Sequence, residues 1–110
     1  MIDWKRAAEL RDEVGAEDFS EVIDLFLEEC DYAIQNLADA KSASDIESQL
    51  HFLKGSALNI GFSDFAALCQ SGEASAALGH LDTINLHQVI QAYWSARQLF
   101  LAQSDRMLAA

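Results

Sequence analysis

Apolar residues recur along most of this chain at spacings of three and four, the repeat of a helix that buries one face. Five helices follow from that pattern. The first is expected from about Asp3 to Val14, with Asp3 as N-cap, Gly15 as stop, and Trp4, Ala7, Ala8 and Leu10 as a short apolar side. The second is expected from about Asp18 to Ala40. Its stripe is Phe19, Ile23, Phe26, Cys30, Ala33 and Leu37, with Glu21, Asp24, Glu28 and Asp31 elsewhere on the helix. The third, from about Ser44 to Ile60, repeats the pattern with Ile46, Leu50, Leu53, Ala57 and Ile60 and stops at Gly61. Ser63 is placed to cap a fourth helix that continues to about Leu78 and carries Phe65, Leu68 and Cys69 on its apolar face. Gly72 lies inside that helix, where glycine costs about 1 kcal/mol relative to alanine. Gly79 to Asn85 reads as a loop. The fifth helix runs from about Leu86 to Gln103 or beyond, with Val89, Tyr93, Ala96 and Phe100 inward.

Four long amphipathic helices with short connections predict an all-α fold, an antiparallel four-helix bundle with the short first helix across one end. The 110 residues are expected to form one domain, 1–110, without internal repeat or linker. Composition agrees: 51% hydrophobic residues can fill a core, and the lack of proline suits long helices.

Charge narrows the function classes. Eighteen acidic and seven basic side chains give a formal net charge of -11. Nucleic acid needs a basic face, and an anionic membrane surface attracts one, so neither partner is expected. No apolar run reaches spanning length and Met1-Ile2-Asp3-Trp4 is not a targeting segment, so a soluble, cytoplasmic protein is expected, and a monomer. Cys30 and Cys69 each fall inside an apolar pattern and read as free buried thiols.

One position carries candidate chemistry. At 100° per residue the five apolar residues of the third helix cluster within about 80° of arc, and His51 lies roughly 145° from their centre, on the outer face. Lys54 and Gly55 follow it by three and four residues, on adjoining surface; Glu47 and Ser48 flank it one turn earlier. An exposed neutral imidazole is a nucleophile through a ring nitrogen. A lysine one turn away offsets phosphate charge, and a glycine at i+4 clears space above the ring. The plainer alternative is a solvated surface histidine. His80, in the loop, and His87, near the start of the last helix, lack the lysine–glycine setting. No metal-ligand spacing, nucleotide loop or kinase signature is present.

The stretch His51-Phe52-Leu53-Lys54-Gly55-Ser56-Ala57, followed by Gly61, Phe65, Leu68, Cys69 and Glu73, resembles the signature of the HPt (histidine-containing phosphotransfer) family, H-x-L-K-G-S-[SA] with a glycine ten residues after the histidine and a cysteine and a polar residue on the next helix. Asp3-Trp4 and Phe19 to Glu29 also look like the leading helices of bacterial members.

The resemblance implies that His51 accepts a phosphoryl group through Nε2 and that Lys54 helps hold the phosphoryl oxygens. It implies that Gly55 clears the docking space, that Ser56 and Ala57 let helices pack closely, and that Gly61 closes the helix. Glu73 would accept from Nδ1 and fix the tautomer; its alternative is an ordinary surface carboxylate. The family often has a large apolar residue before that polar position, and here Gly72 stands there. The implied function is that of a phosphorelay intermediate, exchanging phosphate with the aspartate of response-regulator receiver domains or a hybrid sensor kinase. It is a carrier without kinase or ATPase activity and without a cofactor, the Mg²⁺ belonging to the receiver.

Phe52, Leu58 and Phe62 lie off the core axis and could rim a docking patch; for Phe52 and Phe62 the favoured reading is that they fill gaps between helices. The rival functions are a helical adaptor that has lost phosphotransfer, and the dimerisation-and-phosphoacceptor domain of a sensor kinase. The latter would carry an acidic residue where Phe52 stands. A metal-carboxylate bundle enzyme ranks third.

Overall fold

The computed structural model describes residues 1–109. Five α-helices, α1 (Trp4–Val14), α2 (Ala16–Asp39), α3 (Ala43–Ile60), α4 (Ser63–Ala77) and α5 (Leu86–Met107), make up the fold, with one 3₁₀ turn at Leu81–Thr83. In a body 45 Å long and 20 Å across, α2 packs on α3 and α5, α4 packs on α3 and α5, and α1 lies against α2 and α3. This is the expected all-α bundle with its short additional helix.

The helix starts follow from caps. The Asp3 carboxylate accepts from the Arg6 N–H at 3.1 Å, Ser42 Oγ from the Asp45 N–H at 3.1 Å, and Asn85 Oδ1 from the Gln88 N–H at 3.0 Å. Two expected boundaries shift. The second helix begins at Ala16 because Gly15, at φ +90°, turns the chain from α1 into α2 in a single residue. Ser63 does not cap α4: it is the first helical residue, and its hydroxyl donates to the Met1 carbonyl at 2.9 Å.

The core is built from Leu37, Leu50, Leu53, Ile60, Phe62, Tyr93 and Phe100 among others. On α2 the buried stripe also takes in Leu27 and Ile34, whereas Phe19 and Phe26 are only partly buried. A helix gripped by neighbours on two sides buries a broader face than one i, i+3, i+4 row. Phe62 fills a gap as expected, its ring 6.3 Å from that of Tyr93 and 5.7 Å from that of Phe100.

Two polar devices tie the bundle together. Between α2 and α5, the Tyr93 hydroxyl donates to Asp31 Oδ1 at 2.6 Å, and Arg97 donates to both Asp31 oxygens at 3.0 Å each. Burial, and then the bond to Asp31, pushes the Tyr93 hydroxyl well above its usual range, so it remains a donor. At the α3–α4 turn, Gly61 adopts the left-handed conformation at φ +92°, and a Cβ there would lie 2.5 Å from the Asp3 carbonyl oxygen. Only glycine lets residues 2–3 cross this turn, where the Asp3 N–H donates to the Gly61 carbonyl at 2.6 Å and Ile2 bridges to Phe62.

Candidate functional site

The most extensive helix contact in the molecule is between α3 and α4, and the candidate site straddles it. His51 stands on the outer face of α3 with 70% of its side chain exposed. Across the interface, α4 supplies Glu73, with a side chain only 18% exposed. His51 Nδ1 lies 2.6 Å from Glu73 Oε2, and Lys54 Nζ donates to Glu73 Oε1 at 2.7 Å. One carboxylate therefore holds both residues of the α3 face.

Protonation follows from that arrangement. The hydrogen bond from Lys54 holds the Glu73 carboxyl below the usual carboxylate range; partial burial opposes this and the bond to His51 assists it. An ionised carboxylate only accepts, so Nδ1 must carry the proton of the His51–Glu73 bond. In the neutral ring this leaves the lone pair on Nε2. The arrangement suits nucleophilic attack by an oriented, exposed imidazole.

The surroundings are small or open. A Cβ on Gly55 would meet nothing within 4 Å, so the surface one turn beyond His51 is unobstructed. Ser56 and Ala57 are buried where α3 meets its neighbours. Cys69 is fully buried; burial pushes its thiol up to about 12 and that of Cys30 up to about 11, which keeps both protonated and unreactive. His80 and His87 are exposed, and among the described residues no group of three His, Cys, Asp or Glu side chains could hold a metal ion.

Two features differ from the reading of the sequence. Phe52 does not fill a gap: it is 41% exposed and, with Leu25 and Tyr32 of α2, lines an apolar groove rimmed by Glu28 and Glu29. Leu58 is also exposed. The Lys54–Glu73 ion pair joins two residues 19 positions apart on different helices, which no spacing along one helix reveals; the nearness of both to one histidine is the available signal.

A family model described as the Hpt domain matches residues 21–99 of this chain. Neither a curated protein nor a solved structure matches it. The match covers most of the chain, including α3, α4 and the His51 cluster, and the protein belongs to the Hpt domain family. Hpt domains are phosphocarriers of two-component signalling rather than kinases, and they work with receiver domains and kinases. Among the described residues no helix is long and apolar enough to cross a membrane.

Proposed function

We propose that this domain is a phosphorelay intermediate that carries a phosphoryl group on Nε2 of His51. The observation that supports it most is the Glu73 carboxylate, which binds Nδ1–H of an exposed imidazole and leaves Nε2 as the nucleophile. The Nε2 lone pair attacks the phosphorus of a receiver's aspartyl phosphate, the P–O bond to the aspartate breaks, and the aspartate leaves as a carboxylate. The ring gains positive charge, which Glu73 offsets through Nδ1–H. The reverse step returns the group to a receiver.

Lys54 is the cation nearest the incoming group. In the resting domain its charge is committed to Glu73. As the phosphoryl oxygens arrive, the flexible ammonium is shared between them and the carboxylate. The domain brings no cofactor of its own; a Mg²⁺ on the receiver would neutralise the oxygens of the transferring group. It acts as a monomer and, with a charge of -11, not on nucleic acid.

The test is to incubate the domain with phosphorylated receiver domains and map the label. Label on His51 that is lost in acid and kept in base is expected, since ring protonation makes the imidazole a better leaving group. His51→Gln is expected to abolish transfer while the domain still folds, its thermal midpoint lowered by no more than the loss of one hydrogen bond to Glu73. Acid-stable label, or label on His80 or His87, rules the assignment out.

A further inference from the structure

Gly72 lies buried in the middle of α4, a position where glycine is the poorest helix former after proline. Space accounts for it. A Cβ built on Gly72 would lie 2.8 Å from Leu50 Cδ1, 4.0 Å from Leu50 Cγ and 3.7 Å from Ile84 Cγ2. The Leu50 side chain of α3 fills the notch that the missing Cβ leaves, and Leu50 has no exposed surface, so its methyl cannot withdraw into solvent.

Both members of this contact adjoin the site. Leu50 immediately precedes His51, and Gly72 immediately precedes Glu73. The backbone units that carry the imidazole and the carboxylate are therefore the ones that the Leu50–Gly72 contact sets against each other. We infer that Gly72 is a positioning residue: by seating Leu50 it fixes the spacing of α3 and α4 at which Glu73 reaches Nδ1 of His51. The inference rests on the reading of His51 as the phospho-acceptor. Relief of a 2.8 Å overlap requires the buried Leu50 methyl to repack against its core neighbours or the helices to part by tenths of an ångström, and a 2.6 Å hydrogen bond across the same interface does not survive much misalignment.

The experiment reads the ring directly, without a partner. In alkaline buffer, nitrogen NMR of His51 gives the ratio of the Nδ1–H to the Nε2–H tautomer. The parent, Glu73→Ala, Gly72→Val and the double variant Leu50→Ala/Gly72→Val are compared, the last removing as many carbons at Leu50 as it adds at Gly72. Glu73→Ala and Gly72→Val are each expected to lower the ratio about tenfold, the worth of one hydrogen bond to a charged group. The double variant is expected to return it to the parent value. If Gly72→Val does not fold, Gly72→Ala, alone and with Leu50→Ala, makes the same comparison with a smaller overlap.

A parent-like ratio in the Gly72 variants beside a lowered one in Glu73→Ala overturns the positioning role. A lowered ratio that the double variant does not restore overturns the part assigned to Leu50. Parent-like ratios throughout overturn both the role and the His51–Glu73 contact. The reading of His51 fails separately, if the parent takes no label from a phosphorylated receiver, and the tautomer comparison still decides the role of Gly72.

Discussion

The Lys54 ammonium and the Glu73 carboxylate form an ion pair across the α3–α4 interface at 2.7 Å, both side chains mostly shielded from solvent. In the unphosphorylated domain the lysine is therefore the counter-ion of a carboxylate. In the proposed phosphotransfer its contribution depends on how that pair is shared.

Lys54→Ala is expected to slow transfer without abolishing it and to shift the phosphate partition toward the receiver about threefold, the effect of a partly screened ion pair. Lys54→Arg is expected to be milder. The partition between domain and receiver at low and high salt measures this, and an unchanged partition in Lys54→Ala at low salt excludes a charge role. Because both residues share one contact, Lys54→Ala and Glu73→Gln should be less than additive in a double-mutant cycle.

Glu73 makes stability pH-dependent with a defined sign. Its folded-state carboxyl is held below the usual range, so the unfolded chain binds the proton more readily. The stabilisation is present above the ordinary carboxylate range and is lost as pH falls through the depressed folded-state value. The thermal midpoint of the parent is therefore expected to exceed that of Glu73→Gln near neutrality, with the difference shrinking on acidification through that window. A difference that stays constant across it would show that Glu73 adds no proton linkage.

Gly55 is expected to tolerate alanine. A Cβ there meets nothing, and exchanging a mid-helix glycine for alanine should stabilise the domain by about 0.5–1 kcal/mol. Gly55→Gln should fold as well but block transfer, since its side chain would occupy the surface beside His51. Urea titrations and transfer rates measured on the same two variants separate folding from access, and parent-like transfer in Gly55→Gln sinks the steric account.

The Asp31–Tyr93–Arg97 network is expected to matter for stability and not for transfer. Tyr93→Phe removes a 2.6 Å hydrogen bond to a half-buried carboxylate that keeps its arginine, and about 1 kcal/mol of destabilisation is expected. Arg97→Ala leaves Asp31 with the tyrosine alone and should cost about 1–2 kcal/mol. The readout is a lower urea midpoint at unchanged slope, with phosphotransfer retained.

The bundle was legible in the sequence because its helices repeat apolar residues at fixed intervals and end at Gly15 and Gly61. The outward face of His51 and the open surface at Gly55 could be read in the same way, since positions on one helix determine them, whereas the resemblance offered Glu73 as a partner of His51 beside an ordinary surface carboxylate. What eluded the sequence depends on pairs of helices. Asp31 looks like one more acidic residue on the polar side of α2 until Tyr93 and Arg97 of α5 reach it. Gly72 looks like a weak point in α4 until Leu50 is set against it. Phe52 looks like a filler until its neighbours on α2 leave it uncovered. Contacts between residues far apart in the chain have no fixed spacing to betray them.

All four residues of the candidate site, His51, Lys54, Gly55 and Glu73, belong to the α3–α4 hairpin. Hairpins of this kind often open and close as single cooperative units, while peripheral helices fray at lower free energy. The backbones of α3 and α4 approach each other more closely than α5 approaches its neighbours, from which it is spaced by Tyr93 and Phe100. Native-state hydrogen exchange should therefore find the amides of α5 exchanging through openings that leave the hairpin protected. The proposed phospho-acceptor site would then stay assembled through excursions that expose much of the opposite side of the bundle.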